Sequence, residues 1–148
     1  MAAYSTEDGA LLREEVMPDE LFRMSMTPDG DALAVACRDK GTAIVDAETL
    51  SVRVMVAGRA NATDFSPDGS KLVITGWEPF SVRFYTYPDL VKYGEGVGHS
   101  SFVMGVRFSP SGALAVSASE AREIMVWDAE SAGRVGGVVR DVSLAHTP

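Results

Sequence analysis

The side chains that most often carry out chemistry are scarce in this chain. It has two histidines, His99 and His146, and one cysteine, Cys37, which excludes an internal disulfide. Neither histidine has Cys, Asp or Glu at the spacing of a zinc site. Cys37 ends an apolar segment, which favours a small buried core residue over a reactive thiol. The sequence therefore predicts no metal site and no catalytic residues, because catalysis needs a nucleophile or metal with positioned partners.

The densest glycine cluster is Gly94-Glu95-Gly96-Val97-Gly98. A phosphate-binding loop leads into a helix N-terminus. This cluster instead precedes a predicted strand at 103–108. The pattern favours a connection between strands, and no cofactor is expected.

Composition and charge narrow the classes of partner. With 46% hydrophobic and 23% charged residues, the chain is typical of a globular protein. Its net charge of −8 argues against nucleic acid, since phosphate binding needs clustered Lys and Arg. The same charge would suit basic partners, or would serve only solubility. No signal peptide and no apolar run of about 18 residues is present, so no membrane is expected and the cytoplasm or nucleus is the default location.

Three stretches of the sequence repeat one another: Met26-Thr27-Pro28-Asp29-Gly30, Phe65-Ser66-Pro67-Asp68-Gly69 and Phe108-Ser109-Pro110-Ser111-Gly112. Their prolines are 39 and 43 residues apart. After each terminal glycine come an apolar run, a polar break and a second apolar run. A period of about 40–45 residues built from strands and turns indicates a repeat architecture. Four short strands per unit are typical of a β-propeller blade.

The alternation of apolar and polar residues, with the turn residues between, places these strands. They are predicted at 22–26, 32–37, 42–45 and 51–56, at 62–65, 71–75, 82–87 and 90–93, and at 103–108, 113–119, 124–127 and 134–139. Residues 1–20 form an acidic arm before the first unit. Leu12 and Val16 are spaced for a short helix that would stop at Pro18. A mobile arm and a strand paired with a blade edge are the other two interpretations.

The third unit resembles a WD40 repeat. Gly98-His99 opens it and Trp127-Asp128 closes its third strand, at the spacing of that family's GH and WD dipeptides. Val45-Asp46 and Tyr85-Thr86 stand at the WD position of the other units, and Asp39 stands where the family places its tight-turn aspartate. The resemblance covers residues 21–146. It implies an all-β fold: a partial β-propeller of about three WD40-like four-stranded antiparallel blades, with repeats at about 21–58, 59–98 and 99–141.

The resemblance also implies a polar network of His, Ser or Thr, Asp and Trp inside the blade. His99, Ser119 and Trp127 match three of these roles. Ala121 stands at the aspartate position, so the network is expected to be incomplete and the blade looser than a full WD40 blade. Arg122 and Glu123, in the same turn, are expected to be solvated charges.

Three repeats are fewer than the four to eight blades that close a propeller. Ala145-His146 looks like the start of a fourth unit. An open arc exposes strand edges and apolar blade faces, which favours association. Three explanations stand: a piece of a longer propeller, a second copy that supplies three more blades, or a different subunit that supplies them.

The turn at 76–80 is the best candidate for binding, because strand pairing does not require it to be aromatic. Trp77 and Phe80 lie in it, and Tyr85 and Tyr87 follow; exposed Trp and Tyr are enriched at binding hot spots. The alternative is that Trp77 or Phe80 covers an apolar seam between blades. The expected function is a non-catalytic scaffold or adaptor for other proteins. A structural subunit that completes a propeller is the alternative, and a propeller enzyme is the weaker third.

Overall fold

The fold is described by a computed structural model, which covers residues 1–136 and 139–140. All its regular elements are β-strands, so the all-β prediction is confirmed. The strands are β1 (Ala2–Tyr4), β2 (Leu11–Glu14), β3 (Leu21–Met26), β4 (Ala32–Cys37), β5 (Gly41–Asp46), β6 (Val52–Val56), β7 (Ala62–Phe65), β8 (Lys71–Thr75), β9 (Val82–Thr86), β10 (Lys92–Gly96), β11 (Val103–Phe108), β12 (Leu114–Ser119), β13 (Glu123–Asp128) and β14 (Val139–Arg140).

Strands β3 to β14 form three four-stranded antiparallel sheets, each made of consecutive strands. We call them blade 1 (β3–β6), blade 2 (β7–β10) and blade 3 (β11–β14). The predicted partial propeller of three blades is therefore confirmed. The first strand of blade 2, β7, lies between the first strands of the other two blades. The start of a fourth unit at 145–146 lies outside the described residues.

The repeated turns set the phase of the blades. Gly30, Gly69 and Gly112 adopt φ of 76°, 74° and 75°, the left-handed region that glycine accepts most easily. The amide of Gly30 donates to the carbonyl of Thr27 at 2.9 Å, and the same bond recurs in the other two turns. Each turn thus returns the chain from the first strand of its blade to the second.

Two predicted strands are displaced. The fourth strand of blade 2 was expected at 90–93 but is Lys92–Gly96, because Leu90 adopts a φ of 57° and belongs to the preceding turn. The last strand of blade 3 was expected at 134–139. In the described part of this segment, Arg134 forms an isolated bridge with Trp127, the Val135 amide donates to the Val126 carbonyl at 2.8 Å, and β14 is Val139–Arg140.

Each inner blade boundary is an apolar seam. We call the side of a blade that points toward the next blade in the chain its forward face, and the opposite side its rear face. Ala34 and Ile44 of blade 1 meet Leu72 and Ile74 of blade 2 in the first seam. In the second seam, residues of blade 2 meet residues of blade 3; they include Val73, Val82, Phe84, Ala115, Met125 and Trp127.

The segment before blade 1 is a β-hairpin. Strands β1 and β2 pair with each other as a separate two-stranded sheet, so residues 1–20 do not adopt the short helix that was one alternative. Its partly buried side chains Met1 and Ala3, together with Met17, pack against the rear face of blade 1. Both faces of blade 1 are therefore covered, and every residue of β4 is buried.

Candidate functional site

Blade 3 contains a buried polar network that joins two of its strands to the loop that precedes it. His99 lies in the loop between β10 and β11, Ser117 lies on β12 and Trp127 on β13. The Trp127 indole donates to Ser117 Oγ at 2.8 Å, and Ser117 Oγ lies 2.7 Å from His99 Nε2. His99 Nδ1 lies 3.3 Å from Glu123 Oε2. Since a carboxylate only accepts, Nδ1 carries the ring proton and Nε2 accepts from Ser117.

Glu123 is the residue that sequence analysis placed wrongly. It was expected to be a solvated charge, yet it is only 4% exposed. Besides His99, its carboxylate accepts from the Ser100 amide at 2.9 Å, the Ser100 hydroxyl at 2.7 Å and the Ser119 hydroxyl at 3.1 Å. Glu123 thus takes the place of the aspartate missing at Ala121. The expectation that His99 lacks an acceptor is wrong for this reason.

The serine roles also differ from expectation. Ser117, not Ser119, contacts both His99 and Trp127, while Ser119 hydrogen-bonds to Glu123. Ser117 was not assigned a role from the sequence. Its signal was available, since side chains two apart on a strand point to the same face.

Burial and hydrogen bonding shift both ionisable groups of the network. Burial lowers the pKa of His99 below its usual value, although the Glu123 carboxylate acts in the opposite direction. Hydrogen bonds from the backbone and side chain of Ser100 are the main cause that lowers the pKa of Glu123. At neutral pH the network therefore holds a neutral imidazole and an ionised carboxylate.

The order Ser117, His99, Glu123 matches the nucleophile, base and acid of a hydrolase triad. Its environment is unsuited to catalysis. All three residues are buried, and Ser117 Oγ already accepts the indole proton of Trp127. Ser117 is 1% exposed and its hydroxyl is held by both Trp127 and His99, so the geometry fits a strut inside the blade.

A second cluster consists of aromatic rings from all three blades. Trp77, in the turn between β8 and β9, has its ring 4.5 Å from that of Phe102 and 6.1 Å from that of Phe22. Phe22 belongs to blade 1, and Phe102 immediately precedes β11 of blade 3. We call Phe22, Trp77 and Phe102 the aromatic surface. The repeat spacing did not mark Phe22 and Phe102 as neighbours of Trp77, because they occupy different positions in their repeats.

Two arginines flank the aromatic surface. The guanidinium carbons of Arg38 and Arg59 lie 5.8 and 5.5 Å from the centre of the Trp77 ring, within cation–π range. Arg59 also pairs with Asp39 at 2.6 Å. Asp39, predicted as the tight-turn aspartate of blade 1, is thus half exposed and fixes an arginine beside Trp77.

A groove of about 400 Å³ opens beside these rings. It is lined by Phe22, Arg23, Asn61, Trp77, Phe102, Met104 and Glu120. Asn61 is buried and donates to the Val103 carbonyl at 2.9 Å, which fixes one wall of the groove to blade 3. The groove is large enough for one or two side chains of a partner.

Of the other predicted binding residues, Phe80 lies beside the aromatic surface, whereas Tyr85 and Tyr87 lie away from it. Phe80 packs against the second seam, with its ring 5.6 Å from that of Phe102. Tyr85 is 6% exposed and belongs to the first seam, where Tyr87 packs its ring 5.0 Å from that of Phe65. Both tyrosines therefore offer little surface to a partner.

The remaining chemical candidates lie in packed positions. Cys37 is fully buried on the rear face of blade 1, and burial raises the pKa of its thiol. Gly96, of the glycine cluster, lies so close to Trp127 that a Cβ there would be 2.3 Å from the indole ring. That glycine lets β10 approach blade 3. Within the described residues no group of three potential metal ligands occurs, and the described part of the chain contains no helix that could span a membrane.

The forward face of blade 3 differs from its counterparts. Ala34, Val73 and Val116 are each the fourth residue after their turn glycines. The first two are fully buried in seams, whereas Val116 is 39% exposed. Ile124, on the neighbouring strand, is 44% exposed. An apolar sheet face therefore lies open at this end of the described stack.

Comparison with known proteins agrees with these features. Residues 92–128 match the family model "WD domain, G-beta repeat". The match runs from β10 of blade 2 through β13 of blade 3 and includes His99 and Trp127. The chain is 29% identical over 119 residues to apoptotic protease-activating factor 1 of Rattus norvegicus. These residues are 78% of the chain and 9% of that protein.

Two further similarities cover most of this chain. An uncharacterized WD repeat-containing protein of Synechocystis sp. is 33% identical over 114 residues, which are 73% of the chain and 32% of that protein. The solved structure of Kuenenia stuttgartiensis hydrazine synthase is similar with a TM-score of 0.69 and 28% identity, over 78% of this chain and 34% of that one. The chain thus spans from about a tenth to a third of the length of its relatives. By its repeated turns, its blades and these matches, the chain belongs to the WD40-repeat family.

Proposed function

We propose that this chain is a non-catalytic scaffold that binds partner proteins through the aromatic surface. WD40 repeats generally mediate protein–protein interactions and are generally non-catalytic. The observation that carries the proposal is the meeting of Phe22, Trp77 and Phe102 from three blades beside one groove. Aromatic and arginine side chains gathered at the centre of a surface are typical of binding hot spots.

The chemistry of the groove suggests the kind of ligand. Phe22 and Met104, which are exposed, and Trp77 supply apolar walls. Arg38 and Arg59 are already paired with Glu20 and Asp39. An exposed loop or peptide that places one large apolar side chain in the groove, against the rings, fits this arrangement.

The test is selection of peptides from a random library on the purified chain, followed by affinity measurements on variants. Trp77→Ala should weaken binding of the selected peptides by about thirtyfold or more, as expected for a hot spot. Tyr4→Ala is the matched control, because Tyr4 is an exposed aromatic residue on the hairpin. Circular dichroism checks that both variants are folded. Equal affinities for the two variants would contradict the proposal.

A second candidate function is that of a structural subunit that docks through the forward face of blade 3. The exposure of Val116 and Ile124, at positions buried in the other blades, favours it. Val116→Asp should then abolish assembly and leave peptide binding intact. Trp77→Ala should do the reverse, so the two functions are separable by one pair of variants.

A further inference from the structure

The two end faces of the blade stack differ in how far they are exposed. The forward face of blade 3 is open, with Val116 and Ile124 exposed. The rear face of blade 1 is buried. Its cluster of Leu33, Val35, Cys37, Ala43, Val45 and Leu50 is covered by side chains of the N-terminal segment.

Forward faces pair with rear faces in both seams of this fold. In the first seam Ala34 of blade 1 shares a core with Leu72 and Ile74 on the rear of blade 2. In the second, Val73 of blade 2 shares a core with Trp127 on the rear of blade 3. The open face of blade 3 continues this interface. Its complement is therefore another rear face of the same kind.

The cover on the rear face of blade 1 is shallow. Only Met1, Ala3 and Met17 of the hairpin segment pack against the cluster, and each remains partly exposed. The backbone hydrogen bonds of β1 and β2 run within the hairpin, between Ser5 and Ala10 and between Met1 and Glu15. The firm attachment comes later in the chain, where the Asp19 carboxylate accepts from the amides of Asp39 and Lys40 at 2.6 and 3.0 Å.

We propose that the hairpin is a displaceable cap. When it swings away about the anchor at Asp19, the rear face of blade 1 receives the forward face of blade 3 from a second copy of this chain. The inference rests on the second candidate function, in which the blade 3 face docks. It adds that the partner is another copy in head-to-tail contact, and that the hairpin limits this contact.

Cys37 provides a probe, because it is the single thiol of the chain and lies under the cap. The experiment measures the rate of thiol labelling and the solution mass by light scattering over a series of protein concentrations. The opening variant carries Ala3→Asp and Met17→Asp in the full chain. At low concentration its labelling rate should rise by about tenfold or more, because an aspartate disfavours burial at either position.

Association should then follow opening. As concentration increases, the opening variant should shift toward twice the monomer mass, and Cys37 labelling should slow because the second copy covers it. Adding Val116→Asp should abolish both effects. Adding Val54→Asp should not, since Val54 is equally exposed but lies on the outer strand β6. If the double substitution unfolds the chain, Met17→Ala alone should give the same changes at smaller size.

Three outcomes would overturn the proposal. A folded opening variant that labels fast and stays monomeric would remove the head-to-tail contact. Association that persists with Val116→Asp would refute the blade 3 face and with it the second candidate function. Dimers of the unmodified chain that depend on Val116 but do not increase with Ala3→Asp and Met17→Asp would leave that function standing and refute the role of the cap.

Discussion

Replacing Glu123 by alanine should destabilise the chain far more than the same change at Glu120. The Glu123 carboxylate accepts four hydrogen bonds, from the Ser100 amide and hydroxyl, the Ser119 hydroxyl and the His99 ring. Ser100 is exposed and can bond to water after the substitution. His99 and Ser119 are buried and cannot.

The magnitude follows from those two orphaned donors. A buried polar group left without its partner costs about 1–3 kcal/mol, so two cost about 4 kcal/mol in the free energy of unfolding. With a urea m-value of about 2 kcal/mol per molar for a small domain, the unfolding midpoint should fall by about 2 M. Glu120 is exposed and lies in the turn that leads to Glu123. Glu120→Ala should therefore shift the midpoint by no more than about 0.3 M.

The assay is equilibrium urea unfolding followed by tryptophan fluorescence, since Trp127 is buried in the network. Glu123→Gln refines it. The amide keeps one acceptor for His99 but loses the charge, so its midpoint should lie between those of Glu123→Ala and the unmodified chain. Equal midpoints for Glu123→Ala and Glu120→Ala would refute the reasoning that Glu123 replaces the missing aspartate.

Two further predictions follow from the same network. Because burial lowers the pKa of His99 below about 6.5, the unfolded chain binds a proton before the folded one. The free energy of unfolding should therefore be level above that pH and decline as pH falls below it, and His99→Gln should flatten this decline in urea titrations at successive pH values. Gly96→Ala should cost about 1–3 kcal/mol, because its Cβ would meet the Trp127 ring at 2.3 Å, whereas Gly105→Ala, whose Cβ meets nothing within 4 Å, should cost less in thermal unfolding.

The sequence was most informative where the structure is local and repeated. The three turns ending in Gly30, Gly69 and Gly112 place the first two strands of every blade, because a proline and a left-handed glycine specify the reversal within five residues. The strand after Leu90 was predicted to begin two residues too early, because a leucine does not by itself indicate a positive φ.

The hairpin was missed although its signal is present. Asp8-Gly9 is a dipeptide that favours tight hairpin turns, Gly9 adopts a φ of 72°, and the Asp8 carboxylate accepts from the amide of Ala10 at 3.0 Å. The spacing of Leu12 and Val16 pointed instead toward a helix. Both side chains are exposed, so their helical spacing carries no burial.

The candidate site could be predicted only in part. Trp77 stood out because its turn did not need an aromatic residue. Its neighbours Phe22 and Phe102 come from other blades at unrelated repeat positions, so only the packing of three blades brings the rings together. Glu123 was missed for a related reason, because its partner Ser100 lies 23 residues earlier in the chain.

The position of the polar network makes sense in terms of which blade faces are covered. At the positions of Ser117 and Trp127, blade 1 has Val35 and Val45, which are buried under the hairpin. Among the described residues, Val116 and Ile124 leave the forward face of blade 3 exposed, and its contact with blade 2 is made by the rear face. There the Trp127 ring fits against Gly96, while Ser117 fixes the indole. A directional network thus holds the blade that receives the least apolar burial. Glu123 should therefore stabilise blade 3 by an amount comparable with a large buried apolar side chain, whose truncation costs about 3–5 kcal/mol.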